Sequence, residues 1–225
     1  EMEFNRLLSR AISHYGTASE NKTNNFVKTS KFDLEKYQTI LKISQLEDWI
    51  KKIEEKGIVA VDTETMGLNI NNDRLCLIQI SSKNGECHII KFEKKKNNAP
   101  NLKKILENNL ILKIFHFARF DVAVIKKYLK IDCTPIYCTK IASKIARTFT
   151  DRHGLKDLCK NLLNIDINKQ NQTSDWGNKE LTKHQINYAA NDVLYLHEIK
   201  NKLNNILQRE GKKYLADACF KFLPT

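Results

Sequence analysis

Between residues 58 and 115 apolar positions come in short runs broken by turn formers, and on both sides of that stretch they recur at helical spacing. Ile58–Val61, Leu75–Ile80 and Cys87–Ile90 read as three strands of a meander, separated by the turn-rich stretches Gly67–Asp73 and Ser82–Gly85. Pro100 opens a helix at its first turn, and Ile111–Phe115 is a fourth strand. Helices are then expected over Ala118–Leu129, Thr139–Arg147, Gly154–Leu163 and one long stretch, Thr182–Gln208. Ahead of the strands, residues 4–14 have the apolar spacing of an amphipathic helix and Ser19–Ser30 the polar character of a linker. Leu41–Glu55 returns to helical period, with Ser44 as a candidate N-cap. Antiparallel strands followed by strand and helix alternation predict an α/β sheet flanked by helices. The expected division is an N-terminal extension over residues 1–55 and one domain over 56–225.

Composition changes this picture little, and charge changes it more. Of the 225 residues 41 % are hydrophobic and 28 % charged, ordinary for a globular protein, but the net charge is +12. Such an excess favours an anionic partner, with nucleic acid the usual one. An AT-rich coding sequence that fills the surface with Lys and Asn, as in Lys94–Asn98, accounts for the same charge, so basicity alone decides nothing. The six cysteines are scattered without a C-x-x-C pair, which suits buried thiols in a reducing compartment. No stretch approaches a membrane span, and Glu1-Met2-Glu3 does not read as a signal peptide. Residue 1 is not Met, which fits a chain cut from something longer; the cytoplasm is the expected location.

Candidate chemistry lies in acids that the pattern pulls inward. Asp62 and Glu64 are two apart at a strand end, so both side chains leave one face of the sheet. Two like charges there are unfavourable unless a cation sits between them. Asp121 falls in the first turn of the helix after the fourth strand, a good place for any acid. Asp192 lies on the last long helix with Tyr188 four residues upstream, one turn away on the same face. Each is separately compatible with a solvated acid or an ordinary helix face. Together, oxygen ligands without a His or Cys set suit hard cations, Mg²⁺ or Mn²⁺. Two such ions would clamp the attacking and leaving oxygens of a phosphodiester, so the residues point to metal-dependent phosphoryl transfer.

Asp62-Thr63-Glu64, His116 through Asp121, and Tyr188-x-x-x-Asp192 resemble, in order and spacing, the three motifs of the DEDD exonuclease superfamily in its tyrosine subclass. Ser174-Asp175-Trp176 is similar to the segment ahead of the third motif in ribonuclease D. Over about Val59–Pro224, Asp73–Cys76, Lys113–Asp121, Cys138–Ser143 and Thr150–Leu158 look like the short alphaproteobacterial ribonuclease D-like proteins, the nanoRNase C group. The resemblance implies a ribonuclease H-like mixed sheet flanked by helices, and a 3′–5′ exonuclease that releases nucleoside 5′-monophosphates. It implies short RNA oligonucleotides as partners, with DNA also open, and homo-oligomeric rings. Asp62 would bridge two metals, Glu64 and Asp192 would complete one shell, and Asp121 would serve the other. Tyr188 would orient the attacking water; a phenol pKa of about 10 makes it a better positioner than base.

Around these, Met66 and Leu68 could wedge against terminal bases or simply pack in their turn, and His116 could reach a phosphate or belong to the core. Gln79, Arg152, Lys169 and Gln172 are candidate phosphate or sugar contacts that serve equally as surface or supporting positions. Two departures stand beside the resemblance. The group's chains run past a Phe-Leu-Pro segment to a C-terminal Trp, whereas this one stops at Phe222-Leu223-Pro224-Thr225. Met2–Ala18 and Tyr37–Glu55 instead look like the approach to the proofreading segment of bacterial DNA polymerase I. The rival readings are a DNA-directed proofreading-type exonuclease, and a non-catalytic binding or interaction module on a nuclease fold.

Overall fold

The structure, a computed structural model, describes residues 9–10, 13, 28–29, 40–41, 53–82, 86–94, 99–167 and 174–224. Of the expected amphipathic helix over residues 4–14 only Ser9, Arg10 and Ser13 are described, and they are helical. In the expected linker Lys28–Thr29 is instead a short strand parallel to Ile165–Asp166, and the rest of it and the Ser44 cap lie outside the described residues. Leu41, expected to begin a helix, is instead in a two-residue strand, Ile40–Leu41, parallel to the third strand of the sheet.

The meander forms as expected from β1 (Ile58–Thr65), β2 (Leu75–Ser81) and β3 (Cys87–Lys91), paired antiparallel. Helix α1 (Pro100–Leu106) carries the chain to β4 (Leu112–Phe115), which lies parallel to β1. Helix α2 (Ala118–Leu129) crosses to β5 (Ile136–Cys138), parallel to β4. The mixed sheet therefore runs β3-β2-β1-β4-β5, with Ile40–Leu41 outside β3. Every residue of β2 is buried, the mark of a strand covered on both faces.

The second half is helical: α3 (Thr139–Ala146), the short α4 (Leu155–Leu158) running into a π-helical turn at Cys159–Leu163, α5 (Lys183–Leu194), α6 (Leu196–Arg209) and α7 (Lys213–Phe222). The long helix expected over Thr182–Gln208 is thus two. At Tyr195, φ −92 and ψ −9, the N–H turns to the Val193 carbonyl and the helical ladder breaks, ending α5 and starting α6. The break lets α5 cover β1, β2 and β3 while α6 turns to pack on α3 and β4, which one straight rod could not do. No described helix is long and apolar enough to cross a membrane.

Two polar devices brace the frame. Lys113 is fully buried in β4, and its ammonium donates to the carbonyls of Asn108, Ile111 and Thr134, tying the entry of β4 to that of β5. Thr182 caps α5: its hydroxyl accepts from the Gln185 N–H while the Gln185 side chain accepts from the Thr182 N–H. The same Gln185 amide donates to the Asp175 carbonyl at 3.1 Å, which fastens the Ser174–Trp176 segment to the start of the helix.

Candidate active site

Strands β1 and β4 are parallel, so both end at one edge of the sheet, where crevices in α/β folds bind ligands. Asp62 and Glu64 sit at that end of β1, on the side covered by α5. A bulge between Glu64 and Thr65 interrupts the pairing with β2 just past them and turns the chain toward Met66. Thr63, between the two acids, points to the opposite face and meets α2 there. Its hydroxyl donates to Asp121 Oδ1 at 2.6 Å, which fixes that carboxylate, 3 % exposed, at the strand end. From the other side α5 brings Asp192, and ligand oxygens of Asp62, Glu64 and Asp192 lie within 4.8 Å of one another.

Concentrating these charges is costly. Burial first, then Asp121, Asp192 and Glu64, push the Asp62 carboxyl well above the usual carboxylate range. Burial and then Asp192 and Asp121 do the same to Glu64. Asp121 is raised to about 7 by burial, against the pull of the Thr63 hydrogen bond. Acids held together at such expense, with no Lys or Arg among the pairs that perturb them, suit a divalent cation. The donor set, oxygen only, selects the hard cations.

Tyr188 stands one turn before Asp192 and hydrogen-bonds it. Burial and the acids Asp192, Glu64 and Asp62 raise the phenol, so the hydroxyl stays protonated and donates. Its ring packs against Trp176, centroids 5.9 Å apart, in the segment that Gln185 fastens. On the β4 side, the Thr139 hydroxyl gives its proton to the Phe115 carbonyl at 3.0 Å and so accepts from His116 Nδ1 at 2.9 Å. That arrangement sets the tautomer of a neutral His116.

These groups line a cleft of about 640 Å³ together with Met66, Leu68, Phe117 and Lys140. Of the residues singled out in the sequence, Asp62, Glu64, Asp121, Asp192, Tyr188, His116, Met66 and Leu68 all face it. Met66 and Leu68 are exposed, at 50 % and 88 %. Gln79 does not face it: directly across from Asp62 in the ladder, it is wholly buried, which suits a supporting position behind the acids better than a direct phosphate or sugar contact. Arg152 is exposed and outside the lining, two residues before Gly154, which belongs to it. Lys169 and Gln172 lie outside the described residues. Thr63, Phe117 and Lys140 were not singled out. Thr63 had a signal in its place between two site acids; Phe117 and Lys140 had none beyond lying in the matched segments.

On a ribonuclease H-like sheet, an acid pair at a strand end faced by acids from two helices defines an exonuclease-type site. The chain belongs to the 3′–5′ exonuclease family, whose model matches residues 37–208. It is 29 % identical over 167 residues to ribonuclease D of Sphingobium indicum, covering 74 % of this chain and 43 % of that protein. It is 33 % identical over 158 residues to DNA polymerase I of Aquifex aeolicus, covering 70 % of this chain and 25 % of that one. The chain therefore spans less than half the length of these two relatives. Among solved structures it resembles Brucella melitensis NrnC bound to pGG, with TM-score 0.73 and 51 % identity over 75 % of this chain and 81 % of the other. NrnC with bound Mg²⁺ gives TM-score 0.72 and 50 % identity, covering 75 % of this chain and 82 % of that one.

Proposed function

We propose that this chain is a two-metal-ion 3′–5′ exonuclease that hydrolyses single-stranded nucleic acid or short oligonucleotides and releases nucleoside 5′-monophosphates. The observation that carries the reading is the convergence of Asp62, Glu64 and Asp192 oxygens within 4.8 Å, beside Asp121 and Tyr188 in one cleft. Asp62, Glu64 and Asp192 would hold one Mg²⁺ or Mn²⁺, and Asp121 with Asp62 the second. Bound there, divalent cations supply positive charge to the phosphate oxygens and make water acidic enough to attack at neutral pH.

The chain's own residues do the placing. Thr63 keeps Asp121 oriented through its 2.6 Å hydrogen bond. Tyr188, protonated and anchored on Trp176, orients the attacking water and does not serve as its base. Met66 and Leu68, exposed on the far lip of the cleft, offer apolar surface against the terminal bases. RNA oligonucleotides are the favoured substrate, in keeping with the pGG held by NrnC. The DNA polymerase I relative keeps single-stranded DNA as the second class. The six cysteines are free thiols, which suits work in the reducing cytoplasm.

The test is a 5′-labelled oligonucleotide, RNA and DNA in parallel, incubated with Mg²⁺ or Mn²⁺. A ladder shortening from the 3′ end, abolished by EDTA and by Asp62→Ala, is expected. Uncut substrate in every metal would leave only a binding module. Light scattering on the same preparation reads whether the protein is a homo-oligomer.

A further inference from the structure

Phe117 is an exposed aromatic held in the left-handed region, at φ 71 and ψ 42, where a bulky residue is seldom found. Strained backbone of this kind gathers at working sites. The Lys140 ammonium lies 4.3 Å from the centre of its ring. This pair lines the carboxylate cleft and also a second groove of about 960 Å³ between α2, α3 and the end of α7, so the two spaces are neighbours that share a wall. Arg119 and Lys126 project into the groove from α2, Lys140 and Lys144 from α3, and Phe222 from α7. Lys126 is ion-paired with Asp132 at 2.8 Å, but no Asp or Glu is among the residues lining the groove.

We propose that this groove binds the upstream, 5′ portion of a single-stranded substrate, with Phe117 and Lys140 as the platform over which the strand passes to the carboxylates. The proposal rests on the exonuclease reading and adds that substrates longer than a dinucleotide have a second binding surface. Two observations choose the occupant. The cationic rim matches a polyanion, and its aromatic and apolar floor matches bases, a combination that grips single strands whatever their sequence. The groove also lies directly beside the catalytic cleft, with Phe117 and Lys140 at the boundary. A second copy of this chain packed face to face here would set cations against cations.

The test compares a dinucleotide with a heptanucleotide. Binding is measured by fluorescence anisotropy in Mg²⁺ on the Asp62→Asn protein, so that cleavage does not intervene, with and without Arg119→Glu and Lys144→Glu together. The paired reversal is expected to weaken the heptanucleotide at least ~10-fold and to flatten its salt dependence. Dinucleotide affinity, and dinucleotide cleavage in protein with Asp62 intact, should stay within about twofold. Equal loss for both lengths, or no loss for either, overturns the proposal. So does a reversal that dissolves an oligomer in light scattering while heptanucleotide affinity holds. If the reversed protein misfolds, Arg119→Ala with Lys144→Ala is read the same way, with about threefold selective loss expected. Wild-type protein that cuts nothing would sink the exonuclease reading, whereas a length-selective loss of binding would still place the strand in the groove.

Discussion

Thr63 and Asp121, far apart in the chain, are joined by a 2.6 Å hydrogen bond that crosses the end of β1. The bond favours the ionised form of the acid whose burial drives it the other way. Thr63→Val keeps the shape and removes the donor. Hydrogen bonds to charged groups are worth about 1.5–3 kcal/mol, so the Mg²⁺ concentration for half-maximal cleavage is expected to rise about tenfold or more. A metal titration of activity checks this; an unchanged midpoint would separate Thr63 from the site's electrostatics.

Asp62 is the acid most crowded by its neighbours, and relieving it trades function for stability. Asp62→Asn is expected to lose cleavage by a factor of roughly 10³ or more while the metal-free protein gains on the order of 1–3 kcal/mol. Thermal unfolding in EDTA reads the second effect. A lower melting temperature for the variant would show that the cluster is not repulsive.

The same crowding gives a pH dependence. Asp121 moves from 3.8 when free to about 7, and Asp62 and Glu64 also shift upward, so the folded chain holds these protons more tightly than the unfolded one. Stability from these groups is complete below the unfolded pKa and lost as pH rises through the folded one. Metal-free protein should therefore weaken between about pH 4 and 7, and saturating Mg²⁺ should restore it. Melting curves in EDTA and in Mg²⁺ across that range decide the matter; parallel curves would remove the linkage.

Tyr188→Phe preserves the packing on Trp176 and deletes only the hydroxyl. Turnover is expected to fall about 100-fold, with oligonucleotide affinity within about twofold of wild type. Steady-state kinetics beside an anisotropy titration separate the two, and unchanged turnover would take Tyr188 out of the chemistry.

Gly177 offers a probe of the cleft lip. A Cβ there would overlap Met66 Sδ and sit 3.1 Å from Asp175 Oδ1. The flexible Met66 must yield, so Gly177→Ala should raise KM for a trinucleotide about tenfold and leave kcat nearly unaltered. A fall confined to kcat would argue that Met66 does not touch substrate.

The four acids and Tyr188 were legible because each rests on a local rule: two residues along a strand, the first turn of a helix, four residues along another. Other features depend on what arrives from elsewhere. The interior place of Gln79 follows from helices covering both faces of β2, which its own run does not reveal. The break at Tyr195 answers to α3 and β4, and nothing in Val193–Leu196 announces it. β5 has three residues, too few for a period, and is defined by pairing with β4. The left-handed turn at Phe117 is set by the sharp passage from β4 into α2, with no glycine to signal it.

The convergence of Asp62 and Asp192 also bears on the birth of the protein. Their oxygens meet only after β1 has found β2 and β4 and α5 has docked on the sheet, so a nascent chain still short of Asp192 has no assembled carboxylate site. On the proposed reading, the capacity to cut arrives only with the completed fold, which makes native structure itself the safety catch.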